Sequence, residues 1–225
     1  MTKAESAECS PVRPSAFGID SDMDVLTTLG RTLGFSFSAG INLYATVAIL
    51  GLASRYGWVD LPPQFKVFDH DVVIAAALIM YAIEFVADKV PWVDSLWDTV
   101  HTAIRPIGGA LIAVSTFGET SPPVAGLIAL LGGTVAASTH ATKAGTRAVA
   151  NTSPEPFSNW ILSFTEDLFV VGLGFVALKY PIVALVVTAI LLALIVIFAA
   201  TIWRLFKRRF RPPAAAPAKA ERWSA

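Results

Sequence analysis

Long apolar runs fill this chain from residue 24 to residue 209, and ionisable side chains interrupt nearly all of them. Residues 72–83 are apolar without a break until Glu84 and Asp88 appear. Residues 160–178 have the length and hydropathy of a membrane span except for Glu166 and Asp167 inside them. Residues 122–139 are apolar or small, and His140, Lys143 and Arg147 follow on the same helix. The cleanest run, 181–203, carries no charge. About 20 apolar residues cross a hydrocarbon core of about 30 Å. The pattern predicts six hydrophobic helices: 24–56 with a break near 38–42, 71–89, 92–117 through Pro106, 122–150, 157–179, and one from 181. Proline and small polar residues at 57–69 and 151–156 mark clear breaks. The expected fold class is all-α, a polytopic membrane bundle of about six helices over residues 24–209. Disordered cytoplasmic tails are expected at 1–23 and 210–225.

Composition supports the membrane class. Of 225 residues, 55% are hydrophobic and 15% charged, with a mean hydropathy of +0.62. A soluble domain carries about 25% charge. The 17 basic and 17 acidic residues balance overall, and nothing points to nucleic acid. Arg204, Lys207, Arg208, Arg209 and Arg211 cluster after the last run, which marks that end as cytoplasmic. Six crossings would then put both termini in the cytoplasm of a multi-pass inner (plasma) membrane protein. The single cysteine, Cys9, allows no intrachain disulfide. Each half has a small-residue stretch with a polar break, at 38–42 and 138–143, followed by an acid-bearing helix. Two inverted three-helix repeats would produce that likeness. Ala125, Ala129, Gly133, Ala137, Ala141 and Gly145 recur every four residues and predict a close-packed face.

The interrupting charges are the candidate chemistry, since ionisable groups are costly in a bilayer without a partner or a wet cavity. Asp94, Asp98, His101 and Arg105 are spaced four, three and four apart, on one helix face. That face either lines a cavity, meets water at the interface, or neutralises itself through i, i+3 and i, i+4 pairs. His140, Lys143 and Arg147 share one side of their helix, either as a basic cytoplasmic end or as partners for Glu84, Asp88, Glu166 and Asp167. Glu166 is expected to point inward, with Asp167 pairing a base. Ser38, Asn42 and Thr46 form a neutral stripe, and Gly40 offers a place to open the helix and free carbonyls for a cation or solute. Asp98, His101 and His140 are weak metal candidates, because Asp98 and His101 have i, i+3 carboxylate–histidine spacing but the Glu-x-x-His form is absent. No cofactor is indicated.

Five stretches carry a resemblance: 38–44 (SAGINLY), 84–91 (EFVADKVP), 94–98 (DSLWD), 140–147 (HATKAGTR) and 151–156 (NTSPEP). Together they are similar to the signature stretches of the bacterial membrane family catalogued as domain of unknown function 4126, over roughly residues 35–203. The resemblance implies a polytopic inner-membrane protein and no activity. From the residues themselves, the expected function is a transporter or channel for a small polar solute or cation, with the lipid bilayer as its partner and with proton coupling and a homo-oligomer both compatible with the pattern. The alternatives are a membrane-embedded metal-dependent enzyme acting on a lipid, and a non-catalytic membrane scaffold.

Overall fold

The computed structural model describes residues 19–152 and 156–209; of the tails expected at 1–23 and 210–225, residues 1–18 and 210–225 lie outside them, and 19–23 belong to the first helix. Among the described residues there are seven α-helices, one short 3-10 helix and no strand. The helices are α1 (Ile19–Ile41), α2 (Leu43–Tyr56), α3 (Asp71–Ala87), α4 (Pro91–Phe117), α5 (Pro122–Ala150), α6 (Pro156–Lys179) and α7 (Pro181–Arg209), with the 3-10 turn at Pro63–Phe68. Proline is the first residue of α4, α5, α6 and α7. Its missing N–H is one that a first helical turn leaves unsatisfied anyway.

The first predicted helix is two. Asn42 takes an extended backbone (φ −145°, ψ 100°), and its side-chain oxygen accepts from the Ala45 N–H at 2.9 Å, capping α2. The chain reverses there. Gly34 lies against Ala177 and Ala184, and the Phe37 ring sits 6.1 Å from Phe169, so α1 runs against α6. Asn42 then reaches Asp167, and Ile49 reaches Gly174, so α2 runs with α6 and returns toward the start of α1. Gly57, at φ 59°, ends α2 in the left-handed conformation glycine allows most readily.

This hairpin changes the topology. Gly30 packs on the Pro181 carbonyl at the α6–α7 turn, while α7 ends at Arg209 near the opposite end of the bundle. The described start of α1 and end of α7 therefore lie at opposite ends of the bundle, and the first predicted helix turns back at Asn42 instead of running on to Tyr56. The likeness between halves also weakens, since α5 runs unbroken through residues 138–143.

The amphipathicity is inverted relative to a soluble protein. Trp92, Leu96 and Val100 of α4 are exposed, whereas Asp94, Asp98, His101 and Arg105 on its other face are buried. The interfacial alternative for this stripe is thereby excluded. Most apolar side chains of α7 also face outward. Four helices, Pro91–Phe117, Pro122–Ala150, Phe157–Lys179 and Pro181–Arg208, are long and apolar enough to cross a membrane. With 17 residues, α3 rises about 26 Å. Exposed apolar faces around a polar interior are what lipid as solvent demands.

The central helix is α1, packed against α4, α5, α6 and α7. Its close approach to α4 and α5 runs through glycine. A Cβ on Gly132 would collide with Ala113 and lie 2.9 Å from the Ser36 hydroxyl, and one on Gly40 would collide with the Ala136 carbonyl. The close-packed face of α5 is thus Gly132–Ala136, rotated from the predicted ladder. Of that ladder, Gly133 does pack closely on α4, where a Cβ would lie 3.1 Å from the Pro106 carbonyl, while Gly145 faces open space and Ala141 is exposed.

The topology makes a direct prediction. In a Cys9→Ser background, Asp24→Cys and Lys207→Cys react with a membrane-impermeant maleimide from opposite faces of oriented vesicles. Labelling of both from one face would contradict the hairpin.

Candidate functional site

Two antiparallel stripes build the site. The acids and histidine of α4 face the bases of α5, and the opposed directions set the register: Arg105 meets His140, and Asp94 meets Arg147. Arg105 Nη1 donates to His140 Nδ1 at 2.7 Å, and Arg147 Nη1 donates to Asp94 at 3.2 Å. The α3 helix adds Glu84 and Asp88, one turn apart on its inner face. Asp88 sits at the α3 C-terminus, where the helix dipole disfavours a carboxylate. Two cations compensate, with Arg147 Nη2 at 2.9 Å and Lys143 Nζ at 3.3 Å.

Each base serves several acids. Arg105 pairs with Glu84 in close contact and with Asp98 at 3.5 Å. Lys143 lies 3.3 Å from Glu84 and 3.4 Å from Glu166. Arg147 binds Glu166 through Nε and Nη2, the latter at 2.5 Å, and donates to the Asp88 carbonyl at 2.8 Å. Planar, multidentate donation of this kind suits arginine rather than lysine. All three bases are at least 95% buried.

The broken helix contributes backbone. Because Asn42 caps Ala45, the Ile41 carbonyl is free to accept from Lys143 at 3.1 Å, and the Gly40 carbonyl accepts from Arg105 at 3.4 Å. The freed carbonyls expected here thus bind the protein's own cations. Asn42 also donates to Asp167 at 3.2 Å. Glu166 meets the buried bases, whereas Asp167, expected to pair a base, accepts from Asn42. Ser38 is buried on α1 with no hydrogen bond to its hydroxyl, outside the network.

Hydrogen bonds fix both histidine tautomers. His101 Nδ1–H donates to the Trp97 carbonyl at 2.7 Å, which leaves Nε2 to accept from Tyr44 at 3.0 Å. His140 accepts from Arg105 at Nδ1, so its Nε2–H donates to the Asp98 carbonyl at 3.1 Å. His140 is therefore neutral with its proton on Nε2, and His101 carries a proton on Nδ1. All four ring nitrogens are engaged, and among the described residues no three His, Cys, Asp or Glu side chains are grouped to hold a metal ion. Asp98, His101 and His140 accordingly adjoin one another through arginine and backbone, not through a shared ion.

Several contributors escaped the sequence pattern. Tyr44 holds His101, and Asn151 donates to Asp94 at 2.8 Å while accepting from Asn159 at 2.5 Å. Asn151 continues the α5 stripe four residues beyond Arg147, a spacing that could have exposed it.

Two cavities reach the network. A polar pocket of about 270 Å³ between α4 and α5 is lined by Asp94, Asp98, Thr102, Arg147 and Asn151. A mostly apolar cleft of about 390 Å³ among α1, α5, α6 and α7 has Lys143 and Glu166 on its wall.

Glu84, Asp88, Asp94, Asp98, His140, Lys143 and Arg147 of the network fall in the stretches that carry the family resemblance, whereas His101, Arg105 and Glu166 lie outside them. The family model described as "Domain of unknown function (DUF4126)" matches residues 29–201. The chain belongs to that family. The match takes in every residue of the ion network in this DUF4126 protein. No curated protein and no solved structure matches the chain.

Removing one partner of a buried ion pair leaves the other charge unpaired and costs about 3–5 kcal/mol, whereas replacing both by apolar groups costs far less. Arg105→Met alone should therefore lower the thermal unfolding midpoint in detergent more than Arg105→Met combined with Glu84→Leu. Equal losses in the single and double variants would show that the pair is not coupled.

Proposed function

We propose that this protein is a membrane transporter or channel for a small polar solute or cation, coupled to protons through the carboxyl groups of its buried network. The observation that carries the reading is a charge imbalance. Glu84, Asp88, Asp94, Asp98, Glu166 and Asp167 surround only three bases, Arg105, Lys143 and Arg147. His140 is neutral, because its Nδ1 accepts from Arg105. Lys89 adds a cation at the rim, where its Nζ sits 3.0 Å from the centre of the Phe85 ring and donates to the Phe85 carbonyl. Among the described residues the six acids outnumber the bases even with Lys89 and His101 included.

Buried charge left uncompensated is too costly to keep. The surplus is met by protons or by a bound cation, and a site that must take up one or the other can exchange them. Glu84 Oε2, Asp88 Oδ1 and Asp98 Oδ1 are buried without a hydrogen bond, so acceptor capacity remains. Asp98 is the best placed of them. It lines the polar pocket and is held by one ion pair, at 3.5 Å. It can exchange a proton or cation with the pocket at little cost to the fold, while His140 and Thr102 hold its backbone carbonyl in place.

Sidedness follows from the basic residues. Lys89, Lys143, Arg147, Arg204, Lys207 and Arg208 lie toward one end of the bundle, which the positive-inside rule assigns to the cytoplasm of the inner membrane. The polar pocket lies toward that side, at the Asn151 end of α5, and the described start of α1 lies toward the other.

Proteoliposomes loaded with a pH-sensitive dye test the coupling. Under an imposed pH gradient, with sodium, potassium or choline as the outer cation, wild-type protein should move protons and Asp98→Asn should not. The amide fills the same space, so stability should change by no more than about 1–2 kcal/mol. Equal proton movement in the wild type and a folded Asp98→Asn would remove the carboxyl from the mechanism.

A further inference from the structure

The apolar cleft is not needed for a path through the polar pocket, yet it ends on the same network. Phe37 of α1, Phe169 of α6 and Phe198 of α7 line it, together with Leu194 of α7. Leu194 and Phe198 are 55% and 65% exposed, so the cleft opens sideways onto the lipid-facing surface. It lies deep in the bundle. Glu166 is fourteen residues before the Tyr180 turn (180 − 166) and Leu194 fourteen after it (194 − 180). In an antiparallel hairpin the two are level, about 21 Å from the turn at 1.5 Å per residue.

The charge presented there is a carboxylate. The Glu166 side chain is 13% exposed, against 2% for Lys143 and 1% for Arg147. The bases stand behind it, each with other acids to hold. Arg147 keeps Asp88 and Asp94, and Lys143 keeps Glu84 and Asp88, when Glu166 turns to a new partner. Three phenyl rings around a carboxylate make a favourable setting for a cation, since ring faces attract positive charge. A volume of about 390 Å³ is within the size of small-molecule sites. Thr142 and Thr146 on the α5 wall already donate to carbonyls of their own helix, which leaves that wall with lone pairs rather than free donors.

We infer that this lateral cleft binds a lipophilic organic cation that enters from the bilayer, with Glu166 as its counter-ion and the phenyl rings of Phe37, Phe169 and Phe198 as its walls. The inference rests on the transport reading above and names the substrate class of that network. A cation seated on Glu166 supplies part of the positive charge that the six acids lack.

Equilibrium dialysis of the purified chain in detergent, against tetraphenylphosphonium and its isosteric anion tetraphenylborate, tests the assignment. Saturable binding of tetraphenylphosphonium is expected, with tetraphenylborate much weaker. Glu166→Gln should weaken the cation by about tenfold or more. Glu166 also holds Arg147, so a second variant guards against misfolding. Leu194→Trp fills the cleft from its lipid side without touching an ion pair, and should weaken binding comparably. Tetraphenylborate binding as tightly as the cation, or unchanged cation binding in Leu194→Trp or in folded Glu166→Gln, would overturn the assignment. Asp98-dependent proton movement without tetraphenylphosphonium binding removes the ligand class and leaves the transport reading. Binding with these dependences but no Asp98-dependent movement upholds the cleft and counts against transport.

Discussion

A guanidinium cannot rest in hydrocarbon alone, and the interior of this bundle is arranged around that constraint. Arg147 comes from α5, and its partners come from three other helices: Asp88 from α3, Asp94 from α4 and Glu166 from α6. Arg105 joins α4 to α3 through Glu84 and to the α1–α2 break through the Gly40 carbonyl. Lys143 repeats the pattern with Glu84, Asp88, Glu166 and the Ile41 carbonyl. Buried salt bridges add little net stability over apolar packing, but breaking one is expensive. Such a network therefore specifies which helices meet, and at what register, more than it strengthens the fold.

Packing lets the charges converge. Gly40, Gly109 and Gly132 bring α1, α4 and α5 close, where any Cβ would collide with a neighbour. That contact lies beside the network, so the Gly40 and Ile41 carbonyls come within reach of Arg105 and Lys143. The hairpin at Asn42 is then a polar device as well as a turn. Its capped N–H frees a carbonyl, and its amide holds Asp167.

Much of this was legible in the sequence. Charges inside apolar runs identified the network, because lipid penalises them so heavily. Helical spacing placed Asp94 through Arg105 on one face of α4, and His140 through Arg147 on one face of α5; both faces turn inward. The break at 38–42 was legible from its glycine and asparagine, but the reversal was not, since a kink and a hairpin share one composition. That single missed turn changed the topology and placed the ends of α1 and α7 on opposite sides. The small-residue ladder held at Gly133, which packs on α4, and failed toward Ala141 and Gly145, because lipid-facing and helix-facing small residues look alike; only the neighbouring helices select Gly132 and Ala136. Adjacent acids posed the same problem. Glu166 and Asp167 differ by 100° around α6, and their partners depend on where α2 and α5 lie.

The central claim is that more carboxyls than bases are enclosed here, so that protons or a cation must complete the charge. Infrared spectroscopy of the purified protein at neutral pH, with isotopically labelled aspartate and glutamate, measures this directly. In cation-depleted buffer the account predicts a protonated-carboxyl band that is insensitive to bulk solvent and absent when Asp98, Glu84 and Asp167 are replaced by their amides. A spectrum showing every carboxyl ionised, with no cation bound, would contradict it.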